Sequence, residues 1–64
     1  MNVTTVVKSV EIPGVGRVTC MGEETRRADD TIEVTAMQTA VINGRPANKS
    51  ERAYAAEVLG WFDE

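Results

Sequence analysis

The chain has no histidine, a single cysteine (Cys20), a single leucine (Leu59) and three aromatic residues, Tyr54, Trp61 and Phe62. Each scarcity removes a class of function. Without His, and with one Cys, the usual ligand sets for zinc, haem and iron–sulfur clusters cannot be assembled. No cofactor and no metal is therefore expected. Ser9, Ser50 and Cys20 have no imidazole to activate them. Lys8 or Lys49 could act as a base only in a buried pocket, which 64 residues hardly enclose. The chain reads as a non-enzyme. A lone Cys cannot close an internal disulfide, which argues against a stapled secreted domain. No apolar run approaches the ~20 residues that a membrane-spanning helix needs. The opening Met1–Thr5 lacks the basic segment and apolar stretch of a signal peptide. An intracellular, cytoplasmic protein without membrane contact is expected.

What is present is a small, acidic, β-branched chain. Its 64 residues carry seven Lys/Arg against ten Asp/Glu, a net charge of −3. That length allows one domain, residues 1–64. A domain of this size buries only about 60% of its unfolded surface, so its stability is marginal and a partner or a second copy is expected. The acidic balance makes nucleic acid an unlikely main partner, because such binding normally shows as a basic stripe.

Val and Thr supply 16 of the 64 residues, and this strand-favouring composition holds until about Ala47. Residues 3–12 read as a first strand. Pro13-Gly14-Val15-Gly16 reverses the chain, and residues 17–21 return as a second strand with Val18 and Cys20 on one face. The polar stretch 22–30 reads as a loop, or as an extension of both strands into a longer hairpin. Residues 31–42 alternate as a third strand: Ile32, Val34, Ala36, Ala40 and Ile42 on one face, Thr31, Glu33, Thr35, Met37, Thr39 and Val41 on the other. Gln38 breaks the pattern, and twelve residues is long for one strand, so a bulge or a break is expected near it. Asn43-Gly44 signals a tight turn, and Arg45–Ala47 allows a short edge strand.

Beyond Ala47 the composition turns to Ala, Glu, Lys and Arg, which favours helix. A helix is expected over about residues 49–62, capped by Asn48 with Glu51 three positions on, or by Ser50 as the alternative cap. Its apolar arc comprises Tyr54, Ala55, Val58, Leu59, Trp61 and Phe62. The fold class that follows is α+β: an antiparallel three- to four-stranded meander with one C-terminal amphipathic helix packed on one face. The even-numbered face is the more apolar, so the helix belongs there.

One helix covers one face. The other would carry Val3, Val7, Met21, Met37 and Val41 among threonines, more apolar than a solvated face needs. The reading is a small interaction protein that binds another protein, as inhibitor, adaptor or accessory factor, and self-associates as a dimer through this face. On that reading a charge at Val7 or Met37 breaks association and leaves the fold intact. The size also suits a phage or mobile-element protein acting in a host cell.

Secondary contact candidates are Trp61, a residue type enriched at interface hot spots, and the Arg26-Arg27 pair, whose guanidinium groups suit carboxylate or phosphate. The paired acids Glu23-Glu24 and Asp29-Asp30 match no metal-binding loop. Gly14-Val15-Gly16 lacks the third glycine and the following helix of a phosphate loop. The alternative function is a nucleic-acid-binding module using Arg17, Arg45, Lys49 and Arg52 around the helix start. No aromatic residue lies within the strands to stack on bases.

Overall fold

Two turns set the topology. Pro13 fixes φ at about −65°. Gly14 follows at φ 76, and the Val15 N–H donates to the Ile12 carbonyl at 3.0 Å, so residues 12–15 close as a type II turn. Asn43 and Gly44, at φ 51 and 74, form the two-residue type I′ turn that Asn-Gly specifies. The computed structural model describes residues 2–29 and 31–63, the side chains of Asn2, Ile32 and Glu33 apart. It contains β1 (Asn2–Ile12), β2 (Gly16–Arg26), β3 (Ile32–Ile42), β4 (Arg45–Pro46) and α1 (Lys49–Leu59). The four strands form one antiparallel sheet in the order β1-β2-β3-β4, and the helix follows it. This is the expected α+β meander.

The polar stretch 22–26 continues β2 and is not a loop. Polarity forecasts exposure, not conformation. Gly22–Arg26 is the middle strand of three, paired with residues 2–6 of β1 and 32–37 of β3, so its backbone groups are satisfied on both sides. The loop contracts to 27–31. There the Arg27 N–H donates to the Thr31 carbonyl at 2.9 Å, and the Asp29 carboxylate accepts from the Thr31 N–H (3.2 Å) and hydroxyl (2.7 Å). Asp30, in the acidic pair, lies outside the described residues.

Gln38 is the extra residue of a bulge. Met21 faces Thr39, and the next residue of β2, Gly22, faces Met37. One inserted residue reverses the face that residues 34–37 occupy, as far as a second register shift between Thr25 and Arg26 that skips Glu33. Beyond the bulge Ala40 and Ile42 face the helix, as their even parity requires. Before it, Thr35 and Met37 face inward, and Val34 turns out to solvent. Met37 is 6% exposed and Val34 43%. The assignment of Met37 to the uncovered face is thus corrected, and Val34 stands there instead. Ala36 is half-buried; the Ile32 side chain lies outside the described residues.

The core comprises Val10 and Ile12 of β1, Val18 and Cys20 of β2, Met37, Ala40 and Ile42 of β3, and Ala47, Ala55 and Ala56. Cys20 lies inward beside Val18, as the alternation predicts, and burial pushes its thiol pKa up. Full burial of a side chain such as Val18 or Ile42 contributes about 1.5–3 kcal/mol.

At the helix start Asn48 accepts from the Glu51 N–H and donates its own N–H to the Glu51 carboxylate, each at 2.8 Å, closing a capping box. At the other end Gly60 is left-handed (φ 73, ψ 25), and its N–H and that of Trp61 turn back to Glu57 and Ala56. The helix therefore stops at Leu59, short of the expected residue 62, and Trp61 and Phe62 leave its axis. The buried face is also rotated from the expected arc. Glu51, Ala55 and Ala56 are buried and Leu59 is half-buried, whereas Tyr54 and Val58 lie exposed on its flank. Small alanines let the helix backbone approach the sheet closely, which bulkier Tyr54 and Val58 would prevent.

Candidate interaction surface

The face opposite the helix is assembled from rows of paired residues. Reading β1 to β3, these are Val3–Thr25–Val34, Thr5–Glu23–Ala36, Val7–Met21–Thr39 and Ser9–Thr19–Val41, with Pro46 of β4 beside Val41. Val3 and Val7 are each 56% exposed, and Met21, Val34 and Val41 between 41% and 45%. Four of the five residues that the sequence put on this face, Val3, Val7, Met21 and Val41, are exposed there; Met37 is not. Val34 was missed, because only the bulge turns it out. Glu23 is the one charge in the four rows, and Glu11 pairs loosely with Arg17 at the turn end.

The other candidates are dispersed and largely paired. The Arg26 guanidinium lies 2.9 Å from the Glu24 carboxylate, on the helix side of the sheet. Arg27 is exposed in the following loop. Trp61 is half-buried and packs against the core as a lid. Its ring lies over Gly22, so close that a Cβ there would meet Cζ3 at 2.8 Å. Phe62 bridges to Ala36 at the outer edge of β3. Its N–H donates to the Thr35 carbonyl and its carbonyl accepts from the Met37 N–H, each at 2.7 Å. Asp63 pairs with Arg52 at 2.9 Å and holds this tail to the helix. Glu64 lies outside the described residues.

These pairs set a carboxylate beside three of the four cations of the basic patch. Arg45 grips Glu51 with two hydrogen bonds of 2.9 Å, Arg52 holds Asp63, and Arg17 lies 3.6 Å from Glu11. Of the four cations Lys49 alone has no ion pair among the described residues. A guanidinium already held by a carboxylate offers little charge to a phosphate. The sequence shows the cations together; only the fold shows the acids between them.

The hydrogen bonds from Arg45 and the Asn48 N–H lower the Glu51 pKa from 4.5 to about 2. A depressed carboxyl stabilises the fold above its unfolded pKa and stops doing so as pH falls through its folded one. The urea midpoint should therefore drop between pH 4.5 and about 2. In Glu51→Gln that drop should be shallower. Equal slopes in both proteins would remove Glu51 as the cause.

No family model, curated protein or solved structure matches this chain. The reading of its function rests on the surface alone.

Proposed function

We propose that the chain is a non-enzymatic protein-binding module whose working surface is the uncovered sheet face. The observation that supports this reading is the set of exposed apolar residues Val3, Val7, Met21, Val34 and Val41 on one side of a small domain. Threonines fill the spaces, and the two rows that contain Val7 and Val41 carry no charge. Burying such a face releases ordered water at about 25 cal/mol per Å² of apolar area. The hydroxyls of Thr19, Thr25 and Thr39 tolerate desolvation when given partners. Glu23 calls for a donor or basic group opposite it. The fitting partner is a protein with a flat apolar patch and one such group near its rim.

Met21→Glu with Val41→Glu tests this away from the strand edges. Both residues are exposed, so the variant should fold like the parent by circular dichroism. Tagged parent protein captured from its native lysate should retain a stoichiometric protein through nuclease treatment, and the variant should lose it. A protein retained equally by both would sink the reading. Loss of everything on nuclease treatment would turn it toward nucleic acid.

A further inference from the structure

The two edges of the sheet are treated differently. The outer edge of β3 is occupied, by β4 along Val41–Ile42 and by Phe62 at Ala36. Among the described residues, nothing pairs with the outer edge of β1 along its eleven residues. In an antiparallel ladder, successive residues turn their N–H and C=O groups to alternate sides. Ala40 turns toward β4, since its carbonyl accepts from the Ala47 N–H at 2.9 Å. Its β2 partner Cys20 therefore turns toward β1, and Lys8, opposite Cys20, turns inward to meet it. The neighbouring odd residues Val3, Thr5, Val7, Ser9 and Glu11 then present their amides and carbonyls at the open edge.

We propose that this edge pairs with the same edge of a second copy, antiparallel about a two-fold axis at Val7. The inference stands apart from the proposed function, because it uses the backbone of β1 and not the side chains of the face. Three observations select a second copy and this register. Val7 is the middle residue of Asn2–Ile12, so an axis there pairs all eleven residues, Thr5 with Ser9 and Val6 with Lys8. An axis one residue on would set Lys8 against Lys8, and like charges directly opposed are destabilising. With the β3 edge interrupted by β4 at Val41–Ile42 and by Phe62 at Ala36, pairing closes at two copies and does not run on into a fibre.

The helices do not obstruct this arrangement. Burial on the helix side of β1 falls at Val10 and Ile12, while Thr4 and Lys8 are exposed and Val6 is half-buried. Antiparallel pairing sets the covered half of each strand beside the bare half of the other. The product is one sheet of eight strands, four from each copy, with both uncovered faces on the same side. Self-association thus belongs to the edge, and the face remains available to a different protein.

Hydrogen exchange on the intact chain tests this. The amides of Thr5, Val7 and Ser9 should exchange at least about tenfold more slowly in concentrated than in dilute solution. Unchanged rates at all concentrations overturn the proposal. Cysteine substitution checks the register independently. Opposed residues on paired strands lie within disulfide reach, about 5.5 Å between Cα atoms. Val7→Cys should give a covalent dimer on mild oxidation with oxidised glutathione. Val3→Cys should not, since the two copies of residue 3 would sit about 27 Å apart. Buried Cys20 does not compete. Equal cross-linking of both variants, or of neither, overturns the register. Met21→Glu with Val41→Glu should leave the edge protection intact, so failure of the face and failure of the edge are told apart.

Discussion

Glutamate at Met37 should unfold the chain, while glutamate at Val34, three positions earlier, should leave it folded. Met37 is 6% exposed among Cys20, Ala40 and the other core residues, and Arg52, which lines the cavity beside it, is already held by Asp63 at 2.9 Å. A carboxylate placed there must either lose its hydration unpaired or drag the strand open. Uncompensated buried charge costs about 3–5 kcal/mol. The whole stability of a chain this length is about 3–10 kcal/mol. Val34 is 43% exposed on the far face, and exposed substitutions usually stay within about 0.5 kcal/mol. Circular dichroism with urea titration separates the two variants. The reverse result, Val34→Glu unfolding and Met37→Glu tolerated, would restore an unbulged register and return Met37 to the open face.

Gly22→Ala should be the most damaging single-carbon change in the sheet. The new Cβ would lie 2.8 Å from Trp61 Cζ3 and 2.9 Å from the Ala36 carbonyl oxygen. The carbonyl belongs to a strand and cannot yield far, so the Trp61 ring must lift. Overpacking of this kind costs about 1–3 kcal/mol. Lifting Trp61 also strains the Phe62 bridge one residue on, and with it the cover over the β3 edge. Trp61 is the only tryptophan, so its emission reports the event directly and should shift to the red. Gly44→Ala is the control. It meets nothing within 4 Å but sits at φ 74, so it should lower stability by about 1 kcal/mol without moving the emission. An unchanged spectrum and midpoint for Gly22→Ala would mean that Trp61 is not seated there.

Together these substitutions probe one joint. The bulge at Gln38, the bare Cα of Gly22 and the ring of Trp61 meet where the helix ends and the tail returns to β3. Moving any of them changes which residues of β3 reach solvent, and therefore the composition of the uncovered face.

Local chemistry is legible residue by residue. Pro13-Gly14 and Asn43-Gly44 dictate their turns through the φ values they accept. Asn48 and Glu51 dictate the helix start through the hydrogen bonds they exchange, and Val and Thr mark strands by their branching at Cβ. These interactions span four residues or fewer, so a linear reading contains both partners. Alternation then places Val3, Val7, Met21 and Val41 on one face, because β1 and β2 run in register without interruption.

The rest depends on residues far apart in the chain. Which side Met37 and Val34 face follows from the one-residue slip at Gln38; the broken alternation marks its position, but only the pairing of β3 with β2 shows which residues it turns over. Polar Gly22–Arg26 is a strand because it has neighbours on both sides, which composition does not encode. Arg45, Arg52 and Arg17 lose their common patch to Glu51, Asp63 and Glu11, partners at separations of six, eleven and six residues. The helix turns Ala55 and Ala56 to the sheet, and not Tyr54 and Val58, because close approach favours small side chains. A hydrophobic pattern states that a face is buried; the contact geometry of the assembled layers decides which one.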